Sequence, residues 1–255
     1  MTENAKARSG AGVQSVERVF ELLEAISGAG GEVSLSDLAI LSGLPMPTIH
    51  RLLRTMVALG YVRQLPSRRY ALGARLIQLG EMAGRQLGSA ARTELASLVD
   101  DLGETANMAV LDGDMIVYVA QKPSPHPMRM FTEVGRRAHT HDTGVGKAIL
   151  AQLPDADVLR IVASAGMPVH TEHSHATTES LLEDLAEIRR RGYAIDDGEQ
   201  ELGVRCFAVA VPDAPTPMAV SVSGPTTRVG EDFADRAVPA LQASARRISA
   251  ELSPR

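Results

Sequence analysis

Cys206, Asp196 and any of several histidines are the parts of a thiol hydrolase. In such an enzyme a thiolate attacks, an imidazole takes the proton and a carboxylate holds the ring. The setting argues against that chemistry. Cys206 lies inside GVRCFAVAV, an apolar run that reads as a strand, with no turn or helix start to expose or activate the thiol. A second set is histidine-rich. His170, His173 and His175 form an HxxHxH run, and His139 and His141 are a further pair. Imidazoles ligate zinc, but the run lies in a Thr/Ser-rich loop without an obvious fourth ligand. A solvated loop is the simpler reading, and no metal ligand or cofactor is assigned. A third set suits reversible binding. Thr143-Gly144-Val145-Gly146 opens a helix, where free N–H groups can receive an anion. Ser221 and Ser223, two apart in a strand, present both hydroxyls to one side. Asp196 can hold a hydroxyl or amide donor, or a bridging water. The same residues have plain structural readings: a helix-start turn for Gly144 and Gly146, a small buried hydrophobe for Cys206, a solvated strand face for the serines.

The fourth set is cationic. The net charge is −5, yet residues 1–85 hold 10 Lys/Arg against 7 Asp/Glu, while the remainder holds 16 against 24. From Leu38 to Gly80 there is no acidic residue, and Arg51, Arg54, Arg63, Arg68, Arg69 and Arg75 all fall in that window. A local positive surface on an acidic chain suits phosphate contact, because attraction between exposed charges acts over a Debye length of ~8 Å.

The elements that must position these residues follow from periodicity. The chain has 255 residues, enough for two domains, and is 44% hydrophobic and 22% charged, as in ordinary globular proteins. Its one cysteine rules out an intrachain disulfide. The polar start MTENAKARSGAG is not a signal peptide, and no run approaches the roughly 18 apolar residues of a membrane span, so a cytoplasmic location with no membrane partner is expected. Residues 1–12 read as a flexible arm. From Val13, apolar residues recur at helical spacing through Ile26; Ser34-x-x-Asp37 resembles a capping box that starts a second helix; and a third runs from about Pro45 to Leu59. Two short strands, 61–64 and 69–72, then form a hairpin. Residues 13–72 are therefore a winged helix-turn-helix. The outward face of its third helix offers Met46, Pro47, Thr48, His50, Arg51 and Arg54 to the major groove, and its wing offers Arg68 and Arg69 to the phosphate backbone. Residues 73–88 read as a connecting helix with the domain boundary near Gly88. Residues 89–255 read as α+β, with helices at 93–102, 145–152, 155–165, 178–191 and 231–252. Strands are expected at 106–111, 115–121, 128–133, 193–196, 204–211 and 218–223, with Met128, Met130 and Phe131 able to supply an apolar wall.

Six runs, in order along nearly the whole chain, resemble the IclR-type bacterial regulators. They are SVERVFELLEAI, LSDLAILSGLPMPTIHRLLRTMVALGYV, RRYALGARLIQLG, HTHDTGVGKAILA, GYAIDDGEQELGVRCFAVAV and AVSVSGP. Two positions depart from the family pattern: Pro47 stands where the family more often has Ser or Thr, and His141-Asp142 where it more often reads His-Ala. The resemblance implies a non-enzymatic regulator, with a C-terminal αβ effector-binding domain built on a mostly antiparallel curved sheet. It implies a homodimer, often a dimer of dimers, on a palindromic double-stranded operator near catabolic genes. It places an effector pocket at Gly144, Val145, Asp196, Cys206, Ser221 and Ser223, with Met128 and Met130 as its wall. The effector expected is a small polar carboxylate or ureide such as glyoxylate, pyruvate, allantoin or allantoate, and the expected action is repression. Activation by an aromatic acid is the alternative within the family, and a Cys-dependent hydrolase the alternative outside it.

Overall fold

The computed structural model describes residues 13–130 and 132–252, with the side chains of 85–90 set aside. The arm at 1–12 and Phe131 lie outside the described residues. Contacts divide the chain between Ala83 and Gly84.

In the N-terminal unit, α1 (Gln14–Gly28), α2 (Leu35–Ser42) and α3 (Met46–Leu59) pack around Leu22, Ile26, Leu38, Ile49, Leu53 and Met56. The spacing 49, 53, 56 is one stripe of a 3.6-residue helix, so α3 buries that stripe and turns its opposite side outward. Ser34 caps α2: its Oγ accepts from the Asp37 N–H at 3.1 Å. Gly43, at φ 65°, ends α2 in the left-handed conformation open to glycine and begins the tight turn into α3. The wing pairs β2 (Val62–Gln64) with β3 (Tyr70–Leu72), and β3 also pairs with β1 (Glu32–Val33), a strand too short to show in the sequence.

The helices expected at 73–88 and 93–102 are one helix, α4 (Arg75–Leu102), and the division between the two units falls inside it. Gly80, Gly84 and Gly88 do not break it. A glycine in a helix costs only about 1 kcal/mol relative to alanine, which the surrounding turns can outweigh.

The C-terminal unit is a six-stranded antiparallel sheet in the order β6-β5-β4-β9-β8-β7. The strands are β4 (Thr105–Asp112), β5 (Met115–Lys122), β6 (Arg137–Ala138), β7 (Ala194–Asp197), β8 (Val204–Ala210) and β9 (Met218–Pro225). One face, with Met108, Phe207, Val209, Val220 and Val222, packs on the C-terminal part of α4 and on α8 (Ala234–Leu252). The other face, with Ile116, Tyr118, Ala208 and Ala219, packs on α5 (Gly144–Leu150), α6 (Asp155–Ala165) and α7 (Thr178–Arg191). Alternation along each strand therefore assigns Asn107, Asp196, Cys206, Ser221 and Ser223 to the α5 face.

Residues 128–133 do not form the expected strand. Prolines at 123, 125 and 127 remove alternate donors just before it. Side chains take its carbonyls instead: Thr105 Oγ1 donates to the Met130 carbonyl, and Arg228 Nη2 to that of Met128.

Candidate functional site

The polar residues of the α5 face line a cavity of about 160 Å³. Its wall includes Gly144, Asp196, Cys206, Ser221, Ser223 and Met130 of the residues expected from sequence. Val145 is instead buried in the core on that face. Met128 is 72% exposed and does not line the cavity, because its backbone is held by Arg228 in a loop that turns the side chain outward.

Close packing at Gly144 joins α5 to the sheet. A Cβ at 144 would stand 2.8 Å from Cys206 Sγ, and one at 146 would stand 2.4 Å from the Thr140 carbonyl oxygen. The helix thus starts in contact with β8. Thr143 caps it, its Oγ1 accepting from the Gly146 N–H at 3.1 Å.

Several wall residues escaped the sequence reading: Asn107, Tyr118, Thr132 and Arg136. Asn107 reaches the cavity because β4 pairs with β9, which puts its Nδ2 3.4 Å from Ser223 Oγ. Arg136 is the cation of the wall, and no ion pair engages it among the described residues. Arg136 is exposed, as is its neighbour Arg137, and no local pattern distinguishes the two; only strand order brings Arg136 to the rim of this cavity.

Burial sets the protonation of the wall. It raises the Asp196 carboxyl to about 7, and nearby Glu199 adds to the effect, although the Glu199 N–H donates to Asp196 Oδ1 at 2.9 Å. Burial pushes the Cys206 thiol up to about 12, with Asp196 adding to it. A thiol so held is protonated and not a nucleophile, which removes the basis for hydrolase chemistry. Burial also raises the Tyr118 hydroxyl, which stays a donor. The cavity therefore combines a guanidinium, hydroxyl and amide groups, and a carboxyl that can be neutral.

A buried ion cluster lies behind this wall. Lys147 of α5 is 1% exposed; its Nζ donates to Asp184 Oδ2 at 2.6 Å and Glu199 Oε1 at 2.5 Å. His175 Nε2 is 3.4 Å from Asp184 Oδ2. The HxxHxH run is accordingly dispersed: His175 joins this cluster, His170 contacts Asp142, and His173 lies against Gly198.

On the N-terminal unit, Met46, Pro47, His50, Arg51 and Arg54 of α3 are exposed and Thr48 is half-buried. Arg68 is exposed at the tip of the wing with φ 62°. Arg69 is exposed too, but its Nη2 donates to the Glu32 carbonyl at 2.8 Å, so it ties the wing to β1. Among the described residues no helix is long and apolar enough to cross a membrane.

Two family models match. The IclR helix-turn-helix domain covers residues 15–66, and the C-terminal domain of the bacterial transcriptional regulator IclR covers residues 81–250. The transcriptional repressor IclR of Escherichia coli is 38% identical over 86% of this chain and 83% of its own length. The acetate operon repressor of Salmonella typhimurium is 37% identical over the same shares. A crystal structure of an IclR transcriptional regulator from Alicyclobacillus acidocaldarius superposes with a TM-score of 0.84 at 28% identity, covering 95% of this chain and all of that one.

Proposed function

The chain belongs to the IclR family of bacterial DNA-binding transcriptional regulators, and from that premise we propose that it is a repressor released or engaged by a small polar carboxylate. The observation that carries the proposal is the polar cavity with Arg136, which no ion pair engages among the described residues, beside Ser221, Ser223 and Asn107. Arg can take a carboxylate with two parallel bonds, while the serines and the amide satisfy the remaining oxygens. A relative named for the acetate operon supports a small acid of catabolic origin. A cavity of this size could admit a benzene ring. Its apolar wall is nevertheless short, Met130, Val204 and the Tyr118 ring, and that favours glyoxylate- or pyruvate-sized acids over aromatic ones.

Ureides such as allantoin or allantoate are the second reading, favoured by Asp196, which can accept from an N–H. Proton linkage separates a carboxylate from neutral allantoin, while allantoate, itself a carboxylate, should follow the carboxylate profile. Asp196 holds its proton up to about pH 7, and an anion in the cavity favours the neutral form. Carboxylate affinity should therefore fall as pH rises above 7, by up to roughly tenfold per unit for one linked proton. A neutral ureide should bind equally well or better as Asp196 ionises. Calorimetric titration of glyoxylate, pyruvate, allantoin and 4-carbon or aromatic acids at pH 6, 7 and 8 reads this directly. Asp196→Asn should flatten the carboxylate profile. Arg136→Ala should weaken carboxylate binding at least tenfold, and Ser221→Ala or Ser223→Ala about two- to tenfold. An effector whose affinity is unmoved by all four variants, Cys206→Leu included in place of any that fails to fold, binds elsewhere.

The same reading covers assembly. One helix-turn-helix unit of this size reads a half-site, so two copies should occupy a palindrome. Support comes from Val16 and Phe20, which are exposed along α1 at 51% and 59%, an apolar strip suited to a second copy. We expect a homodimer through the N-terminal unit and α4, and a dimer of dimers through the C-terminal units. Light scattering of the complex should find two or four chains per duplex; one chain per duplex contradicts it.

A further inference from the structure

His139, His141, Asp142 and His170 meet at the start of α5 in a group that regulation by an organic effector does not use. His141 and Asp142 are both fully buried. His141 Nε2 lies 3.1 Å from the Pro168 carbonyl oxygen. A carbonyl can only accept, so Nε2 carries the proton, and in the neutral ring Nδ1 is left with a lone pair. His141 Nδ1 lies 3.9 Å from Asp142 Oδ1, and neither atom has a hydrogen-bond partner among the described residues. Two buried acceptors this close repel, and each orphaned acceptor costs free energy, unless a positive centre lies near both.

Two further imidazoles reach the same place. His170 Nδ1 is 2.5 Å from Asp142 Oδ2. The His139 ring centroid is 5.6 Å from that of His141 and 6.0 Å from that of His170. A zinc-bound imidazole nitrogen is about 2.0–2.1 Å from the ion, which puts its ring centroid roughly 3.2 Å away and two rings sharing an ion roughly 5–6 Å apart. The ring spacings suit one shared ion, but the ligand atoms as they stand do not converge within 4.8 Å of one another, so His139 and His170, both of which reach solvent, must rotate to close the site. We propose that His139, His141, Asp142 and His170 bind one divalent transition cation of the zinc type. Three neutral nitrogens and one carboxylate form a borderline ligand set that suits Zn²⁺ or Co²⁺ rather than Ca²⁺ or Mg²⁺.

A rival group, His175, Asp184 and Glu199, has its ligand atoms closer together. The Lys147 ammonium already lies between its two carboxylates and would repel a dication. An ion on Asp142 stands beside Thr143 and Gly144 of the cavity wall, so its charge adds to that of Arg136 in favouring an anion there.

The test is titration of untagged, chelator-treated full-length protein with Co²⁺, followed by the visible absorption of tetrahedral Co²⁺, then displacement by Zn²⁺. One ion per chain is expected. The double variant His139→Ala/His170→Ala changes two solvent-reaching side chains and should keep its circular dichroism while losing at least tenfold in affinity. His175→Ala and His173→Ala should bind as the parent does. The inference is overturned if no saturable one-to-one absorption develops, if the double variant binds like the parent, or if His175→Ala abolishes binding, which would assign the ion to the other cluster.

Discussion

Lys147→Met should lower the free energy of unfolding by about 3–5 kcal/mol, because it leaves Asp184 and Glu199 in a largely dry site without their counter-charge. At the usual 2–4 °C per kcal/mol for a domain of this size, the melting temperature should drop by roughly 6–20 °C. The cost arises from the orphaned carboxylates rather than from lost attraction, since a buried ion pair repays little beyond its own desolvation. The cluster joins three elements: Lys147 on α5, Asp184 on α7, and Glu199 in the turn between β7 and β8. Burial tends to raise the Asp184 carboxyl, but His175, Lys147 and Arg191 together hold it down at about 2. A carboxyl depressed in the native state stabilises above its unfolded pKa near 4, and that stability is lost as pH falls from there toward 2. The parent should therefore lose this contribution in acid, and Lys147→Met should show a smaller acid dependence. Restoring charge balance with Glu199→Gln in the Lys147→Met background should recover part of the loss. Urea unfolding of the three variants measures both effects, and a Lys147→Met change under 1 kcal/mol would mean that water reaches the carboxylates.

Arg51→Ala and Arg54→Ala should each weaken specific DNA binding by about ten- to a hundredfold, the cost of losing a two-bond contact to a guanine edge. Both lie on the side of α3 opposite Ile49, Leu53 and Met56, the side free to enter a major groove. Arg68→Ala should behave differently. Its place at the wing tip suits a phosphate, so it should weaken all sequences alike and reduce the slope of log K against log salt by about one. Arg68→Gly makes the cleaner variant, because glycine accepts the left-handed φ of 62° that arginine holds at some cost. Gel-shift titrations on a duplex selected from a random pool by the full-length protein, at two salt concentrations, distinguish base reading from phosphate contact. Equal losses on selected and random duplexes for Arg51→Ala and Arg54→Ala would remove both from base recognition.

Most of the helices and strands were legible in the residues themselves. The stripe 49, 53, 56, the capping pair Ser34 and Asp37, the hairpin around Pro66, and the alternation that sets Ser221 and Ser223 on one face are local patterns. Backbone hydrogen bonds over four residues, or side-chain alternation over two, suffice to impose them. The acid-free window from Leu38 to Gly80 is likewise a property of the sequence alone, and it is what points to phosphate contact there. What only the tertiary structure decided was which distant residues share a place. Arg136 and Asn107 enter the cavity through the order β6-β5-β4-β9. Met128 leaves it because prolines and Arg228 divert its loop. Nothing in the local sequence marks Lys147 as buried; two carboxylates from remote elements converge on it. The five histidines look like one run and one pair, and the fold regroups them, sending His170 to His139 and His141 and His175 to Asp184. Side-chain chemistry and local period are properties of short segments. Burial, pairing and a carboxyl poised near pH 7 depend on neighbours that strand order alone brings together.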